Sequence, residues 1–175
     1  MNLSIPMASS HPLVVGAGSA LVDILLRESE EFLAASGACK GGMTLVEHTV
    51  IDEILEKTSR EPLHVSGGSA CNTIVGIGKL GGRARFVGAC GTDKLGKLFE
   101  SGLKLCNVEP MLTTNPSPTG QVLSIITPDA QRSMFTYLGA SSEMQPSDIT
   151  ASCFEGATLV HVEGYLLFNE ELIRA

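Results

Sequence analysis

The chain has 175 residues, of which 43% are apolar and 18% charged, with a formal net charge of −7. That length suits one domain with a real core, and no apolar run is long enough to cross a bilayer. The acidic balance, the 5% aromatic content and the absence of Trp argue against a nucleic-acid partner, because a phosphate backbone needs a basic footprint and single strands need stacking platforms.

Residues 1–12 read as a flexible leader, without the basic-then-apolar order of a secretory signal, and 13–175 as the folded domain. Leu13-Val14-Val15 is the first strand candidate, closed by Gly16-Ala17-Gly18. An apolar run from Leu21 to Leu26 follows, interrupted by Asp23. Lys40-Gly41-Gly42-Met43-Thr44-Leu45 reads as a turn into a short strand. Val50, Ile51, Ile54 and Leu55 share one face of a helix that stops near Arg60-Glu61-Pro62. A second helix after Val65-Ser66-Gly67-Gly68-Ser69 places Ala70, Ile74, Ile77 and Leu80 on one face and ends at Gly81-Gly82. Arg85 to Gly88 is a strand, and 93–106 a helix with Leu95, Leu98, Phe99 and Leu103 buried. Gln121 to Thr127 and Ser133 to Leu138 have a hairpin pattern. Strand Thr158 to Val162 and a helix starting at Asn169 close the chain.

Strands alternating with helices predict an α/β fold with a mostly parallel sheet. Two β-rich stretches, about 21–45 and 111–138, break the pattern and predict a small separate sheet, a lid shielding a ligand from water. An uncovered parallel edge at the last strand predicts a truncated domain. Cys39, Cys71, Cys90, Cys106 and Cys153 are odd in number and widely spaced, with no CxxC. They read as reduced thiols of a cytoplasmic protein, acting as small hydrophobes.

Several residues are candidates for chemistry. Asp23 is a lone carboxylate in an apolar run, so it faces either solvent or a ligand; a carboxylate accepts two hydrogen bonds from adjacent hydroxyls. Gly67 and Gly68 let the backbone approach a ligand closely just before a helix start with free N–H groups. Asn72 falls in that helix's first turn. Arg132 opens a hairpin strand, where it either reaches an anion or stays a solvated charge. Asp93 reads as a helix cap. Gly16-Ala17-Gly18 lacks the third glycine and the following helix of a dinucleotide site. His161 and Glu163 have HxE spacing but no downstream PCxxC, so no metal site is expected.

Taken in order, these segments resemble the PfkB carbohydrate kinase family, within it the bacterial adenosine kinase-like proteins. The likeness runs through Gly16-Ala17-Gly18 with Val22-Asp23-Ile24, Lys40-Gly41-Gly42-Met43-Thr44-Leu45, Gly67-Gly68-Ser69-Ala70-Cys71-Asn72-Thr73, Gly81-Gly82, Gly91-Thr92-Asp93, Thr119-Gly120, Arg132-Ser133-Met134 with Tyr137-Leu138-Gly139, and Glu163-Gly164-Tyr165-Leu166. It implies a ribokinase-like three-layer core with a β lid, and ATP- and Mg²⁺-dependent phosphorylation of a sugar or nucleoside hydroxyl. Asp23 and Asn72 would then bind substrate hydroxyls, Gly41 and Gly42 would line the lid side of the pocket, and Gly67 and Gly68 would form the hinge. Arg132 is carried with them as a substrate-binding candidate, and the lid as a homodimer surface.

The family's catalytic Asp, in a Gly-Ala-Gly-Asp motif, has no counterpart among the 175 residues, nor do its ATP-binding segments. The expectation is therefore a substrate-binding part without phosphoryl-transfer machinery, inactive alone and holding neither ATP nor Mg²⁺. The alternative is a non-catalytic sugar- or nucleoside-binding or interaction module.

Overall fold

The computed structural model describes residues 12–175; the leader expected over 1–12 lies outside them except for Pro12. In chain order the elements are β1 (Leu13–Ala17), β2 (Leu21–Arg27), α1 (Glu30–Ala35), β3 (Met43–Leu45), α2 (His48–Lys57), β4 (Leu63–Gly67), α3 (Ser69–Lys79), β5 (Arg83–Gly91), α4 (Lys94–Leu105), β6 (Val108–Asn115), β7 (Gly120–Ile126), β8 (Arg132–Tyr137), α5 (Ala151–Phe154), β9 (Ala157–Val162) and α6 (Glu170–Arg174).

The strands form two sheets. The first is all parallel, in the order β6-β5-β1-β9. Alternation along β1 and β5 supplies two buried faces, as a sheet covered on both sides requires. Ala84, Phe86 and Cys90 pack under α3 and α4 with Ile74, Phe99 and Leu103. Leu13, Val15, Ala17, Val87 and Ala89 pack on the opposite side with Met144, Cys153 and Leu172. The result is helix, sheet and helix in three layers, the α/β core expected from the sequence. β6 is an edge strand and tolerates Pro110, whose missing N–H would break an interior ladder.

The second sheet is mixed, in the order β3-β8-β7-β2-β4. β2 and β7 are parallel neighbours, as are β3 and β8, whereas β2 with β4 and β7 with β8 run antiparallel. Its packed face carries Ile24, Leu26, Leu123, Ile125 and Phe135 onto Leu33 of α1 and Ile51 and Ile54 of α2. The other face is open in part: Met43, Leu45, Leu63 and Val65 are exposed on it, while Val122, Ser124 and Thr136 are buried. Segments far apart in the sequence thus do form one small sheet. Its membership differs in detail from the expected stretches: residues 111–115 belong to β6 of the first sheet, β4 adds a fifth strand, and α1 interrupts the 21–45 stretch.

Helix periodicity translates directly into burial for α4, where Phe99 and Leu103 are fully enclosed and Leu95 and Leu98 pack against them. In α3 the pattern overruns by one residue. Leu80 is the C-cap and is 90% exposed, because the helix turns out at Lys79 before it would reach the core.

Candidate functional site

Strand β2 alternates between its two faces. Val22, Ile24 and Leu26 point into the core, so Asp23 must point to the open face. Level with it across the sheet are Val65, Val122, Thr136 and Leu45. The carboxylate lies against the backbone of Gly67, where a Cβ would come within 2.3 Å of Asp23 Cγ. Burial pushes the Asp23 carboxyl above its ordinary value, and the charge of Arg132 pulls it partly back. Among the described residues nothing donates a hydrogen bond to it. The carboxylate is only partly exposed, and its acceptor sites are left to solvent or a ligand.

Gly67 ends β4, and Gly68 turns the chain into α3 with φ 96° and ψ 145°. That backbone is strained for any residue with a Cβ, and a Cβ there would also meet Ser19 O at 2.5 Å. Asn72 N donates to Gly68 O at 2.9 Å, which closes the first turn. The Asn72 side chain is exposed on that turn and accepts and donates nothing among the described residues. Beside it Cys71 is buried, and burial, with the nearby charge of Asp23, pushes its thiol up to about 12; it serves as a small hydrophobe. All five cysteines are free thiols.

The structure therefore brings Asp23, Gly67, Gly68 and Asn72 to one junction, where the open sheet meets the start of α3. Gly41, Gly42 and Arg132 lie further out on that sheet. Gly41 N donates to Ser133 Oγ at 2.9 Å, and Met134 N to Gly42 O at 2.9 Å. The glycine turn is thus stitched to the beginning of β8, next to Arg132. By strand alternation Arg132 shares the face of Asp23. Met43, Leu45, Leu63 and Val65 expose apolar surface on that face. Two concavities of about 340 and 250 Å³ lie elsewhere, one between α4 and β6 and one around Arg27 and Arg60.

Glu163, given no role by its sequence pattern, is 3% exposed at the end of β9. Its two oxygens accept from Ser19 N and Oγ, both at 2.7 Å, and from Ser69 Oγ and Ala70 N at 2.8 and 3.3 Å. Asp93 caps α4 as expected, accepting from Gly96 N at 2.8 Å, and also from Thr119 N and Oγ1 at 2.8 and 2.6 Å. The N-termini of α3 and α4 are hence filled by the protein's own carboxylates. An ATP phosphate chain with Mg²⁺ does not fit there, because like charges would meet. The Gly16-Ala17-Gly18 turn leads into a strand rather than a helix, so it offers no anion cradle either. Among the described residues no three His, Cys, Asp or Glu side chains gather as a metal site would require, and no helix is long and apolar enough to cross a membrane.

A three-layer parallel core carrying a small mixed sheet is the architecture of ribokinase-like kinases. The sequence profile of the pfkB family carbohydrate kinases matches residues 31–173, and the chain belongs to that family. Among solved structures it is similar to a probable sugar kinase from Rhizobium etli, with TM-score 0.83 and 32% identity over 94% of this chain and 51% of that one. Adenosine kinase from Sinorhizobium meliloti gives TM-score 0.81 and 32% identity, over 95% and 52% of the respective chains. Probable fructokinase-7 of Arabidopsis thaliana is 24% identical over 97% of this chain and 44% of its own length. The chain spans about half the length of these relatives.

Proposed function

We propose that this chain holds the sugar or nucleoside of an ATP-dependent kinase, while the groups that bind ATP and Mg²⁺ and align phosphoryl transfer are carried by a different segment. The observation that carries this is Asp23: a half-buried carboxylate without donors, pressed on Gly67, with the exposed amide of Asn72 on the helix turn that starts just after that glycine. Two vicinal hydroxyls satisfy such a carboxylate, and an amide on the adjacent helix turn fixes a further one. Closure of the small sheet over the core would exclude water from the reacting hydroxyl.

The division of labour is supported by three features. The helix starts are already neutralised by Glu163 and Asp93, the 175 residues contain no Gly-Ala-Gly-Asp string, and β9 leaves an open edge with Leu159, Val160 and Val162 exposed. Phosphoryl transfer needs positioned donors, metal and an aligned nucleophile together. The exposed apolar residues around Asp23 favour a nucleoside, whose base would cover them, over a free sugar.

Calorimetric titration of this chain with adenosine, inosine, ribose and fructose, paired with a phosphorylation assay in ATP and Mg²⁺, tests both halves. Binding of at least one ligand without turnover is expected. Turnover by this chain would refute the division, and no binding across the panel would refute the site.

A further inference from the structure

Glu163 uses both of its oxygens fully. A carboxylate has about four lone-pair sites, and four donors occupy them: Ser19 N and Oγ on Oε1, Ser69 Oγ and Ala70 N on Oε2. No acceptor capacity is left for a ligand hydroxyl. The donors come from two places. Ser19 lies in the short connection 18–20 that joins the two sheets, four residues before Asp23. Ser69 and Ala70 form the start of α3, immediately after Gly68 and just before Asn72.

Gly68 occupies the N-cap of α3 and has no side chain with which to cap it. Glu163 does so from across the fold, and a negative charge there is favoured by the helix dipole. Gly68 in turn sits against Ser19 O. One buried carboxylate at the tip of β9 therefore ties together the two stretches of chain that carry Asp23 and Asn72. The antiparallel pairing of β2 with β4, Leu21 opposite Gly67, already sets Asp23 against the glycines; among the described residues Glu163 supplies the side-chain hydrogen bonds that add the first turn of α3, and with it Asn72, to that frame.

We propose that Glu163 is a positioning residue that holds the first turn of α3, and so Asn72, in place relative to Asp23 and itself touches no ligand. This rests on the site proposed above. Glu163→Gln preserves shape but turns an NH₂ group toward two N–H or O–H donors, leaving one side of the clamp facing donor to donor.

Two measurements on the chain test it. By amide hydrogen exchange, Glu163→Gln is expected to accelerate Ser19 and Ala70 at least 10-fold while Phe86 and Leu123 stay unchanged. By titration with the best ligand of the panel, Glu163→Gln is expected to weaken binding about 10-fold. Asn72→Ala should then cost much less in the Glu163→Gln background than in wild type, since the amide is no longer held in place. A residue that only supports the fold would lower the melting temperature and leave that double-mutant cycle additive.

Unchanged exchange at Ser19 and Ala70, or an additive cycle, overturns the proposal while leaving the ligand site standing. A wild-type chain that binds nothing overturns the site and the proposal with it, whatever the exchange shows. Should Glu163→Gln fail to fold, Ser69→Ala removes one donor only, and a smaller effect of the same pattern at Ala70 is expected; none there overturns the clamp.

Discussion

Replacing Gly67 by alanine separates the ligand site from the fold. Gly67 has no positive φ and sits in regular strand β4, so alanine adopts its backbone freely and loses less entropy on folding. The new Cβ would nevertheless stand 2.3 Å from Asp23 Cγ and 2.5 Å from each of its oxygens, where ordinary contact begins near 3.4 Å. The carboxylate must therefore move by roughly 1 Å, a misplacement large enough to matter at a binding site. Two charge-assisted hydrogen bonds lost, at about 1.5 kcal/mol each, weaken binding on the order of 100-fold. Titration calorimetry reads the affinity and urea unfolding the stability, which should change by under about 1 kcal/mol. Gly76→Ala is the matched control. Its Cβ would meet nothing within 4 Å, so it should stabilise α3 by roughly 0.5–1 kcal/mol and leave binding alone. Wild-type affinity in Gly67→Ala would show that Asp23 does not grip the ligand.

Asp23→Asn should bind ligand poorly yet melt higher than wild type at pH 7. Burial raises the Asp23 carboxyl, so the folded chain holds that proton more tightly than the unfolded one. The ionised group thus costs stability above its folded pKa, and the gap between the two proteins should close as pH falls below the ordinary carboxylate range, near about 4. Asp93 has the opposite sign. Burial alone would raise it, but hydrogen bonds from Thr119 and Gly96 hold it below its ordinary value. Its contribution is present above the unfolded pKa and lost as pH falls through the folded one, so Asp93→Ala should cost about 1–2 kcal/mol at neutral pH and progressively less in acid, by urea unfolding. Phe99→Ala empties a fully buried site packed on Phe86 at 5.6 Å between ring centroids, and should cost about 3–5 kcal/mol in the same assay.

What could be read from the sequence followed the range of the interactions. The helices α2 and α4 were legible because their apolar spacing records a single face against a single core. Asp23 stood out as one charge in an apolar run, and the paired glycines marked the entry to α3. Strand β4 was not legible: Leu63 and Val65 are exposed, so its alternation carries no burial signal, and Gly67-Gly68 reads as loop. β6 looks like any strand of the hairpin region, and only its pairing with β5 assigns it to the first sheet. Helix α1 is short: Ser29 caps it and two glutamates occupy its first turn, which leaves little apolar pattern to read. Glu163 was least accessible, since its partners lie 94 and 144 residues away and nothing local signals them.

Among the described residues β9 has one unpaired rim, which has a practical corollary for handling this chain on its own. Thr158-Leu159-Val160-His161-Val162 is rich in β-branched residues and contains no Pro, Asp, Glu, Lys or Arg. Such a segment, with its ladder groups unpaired on one side, templates intermolecular stacking. Concentrated samples should drift toward insoluble assemblies that nucleate there. A gatekeeping lysine, Val160→Lys, should extend shelf life without disturbing the distant pocket residues.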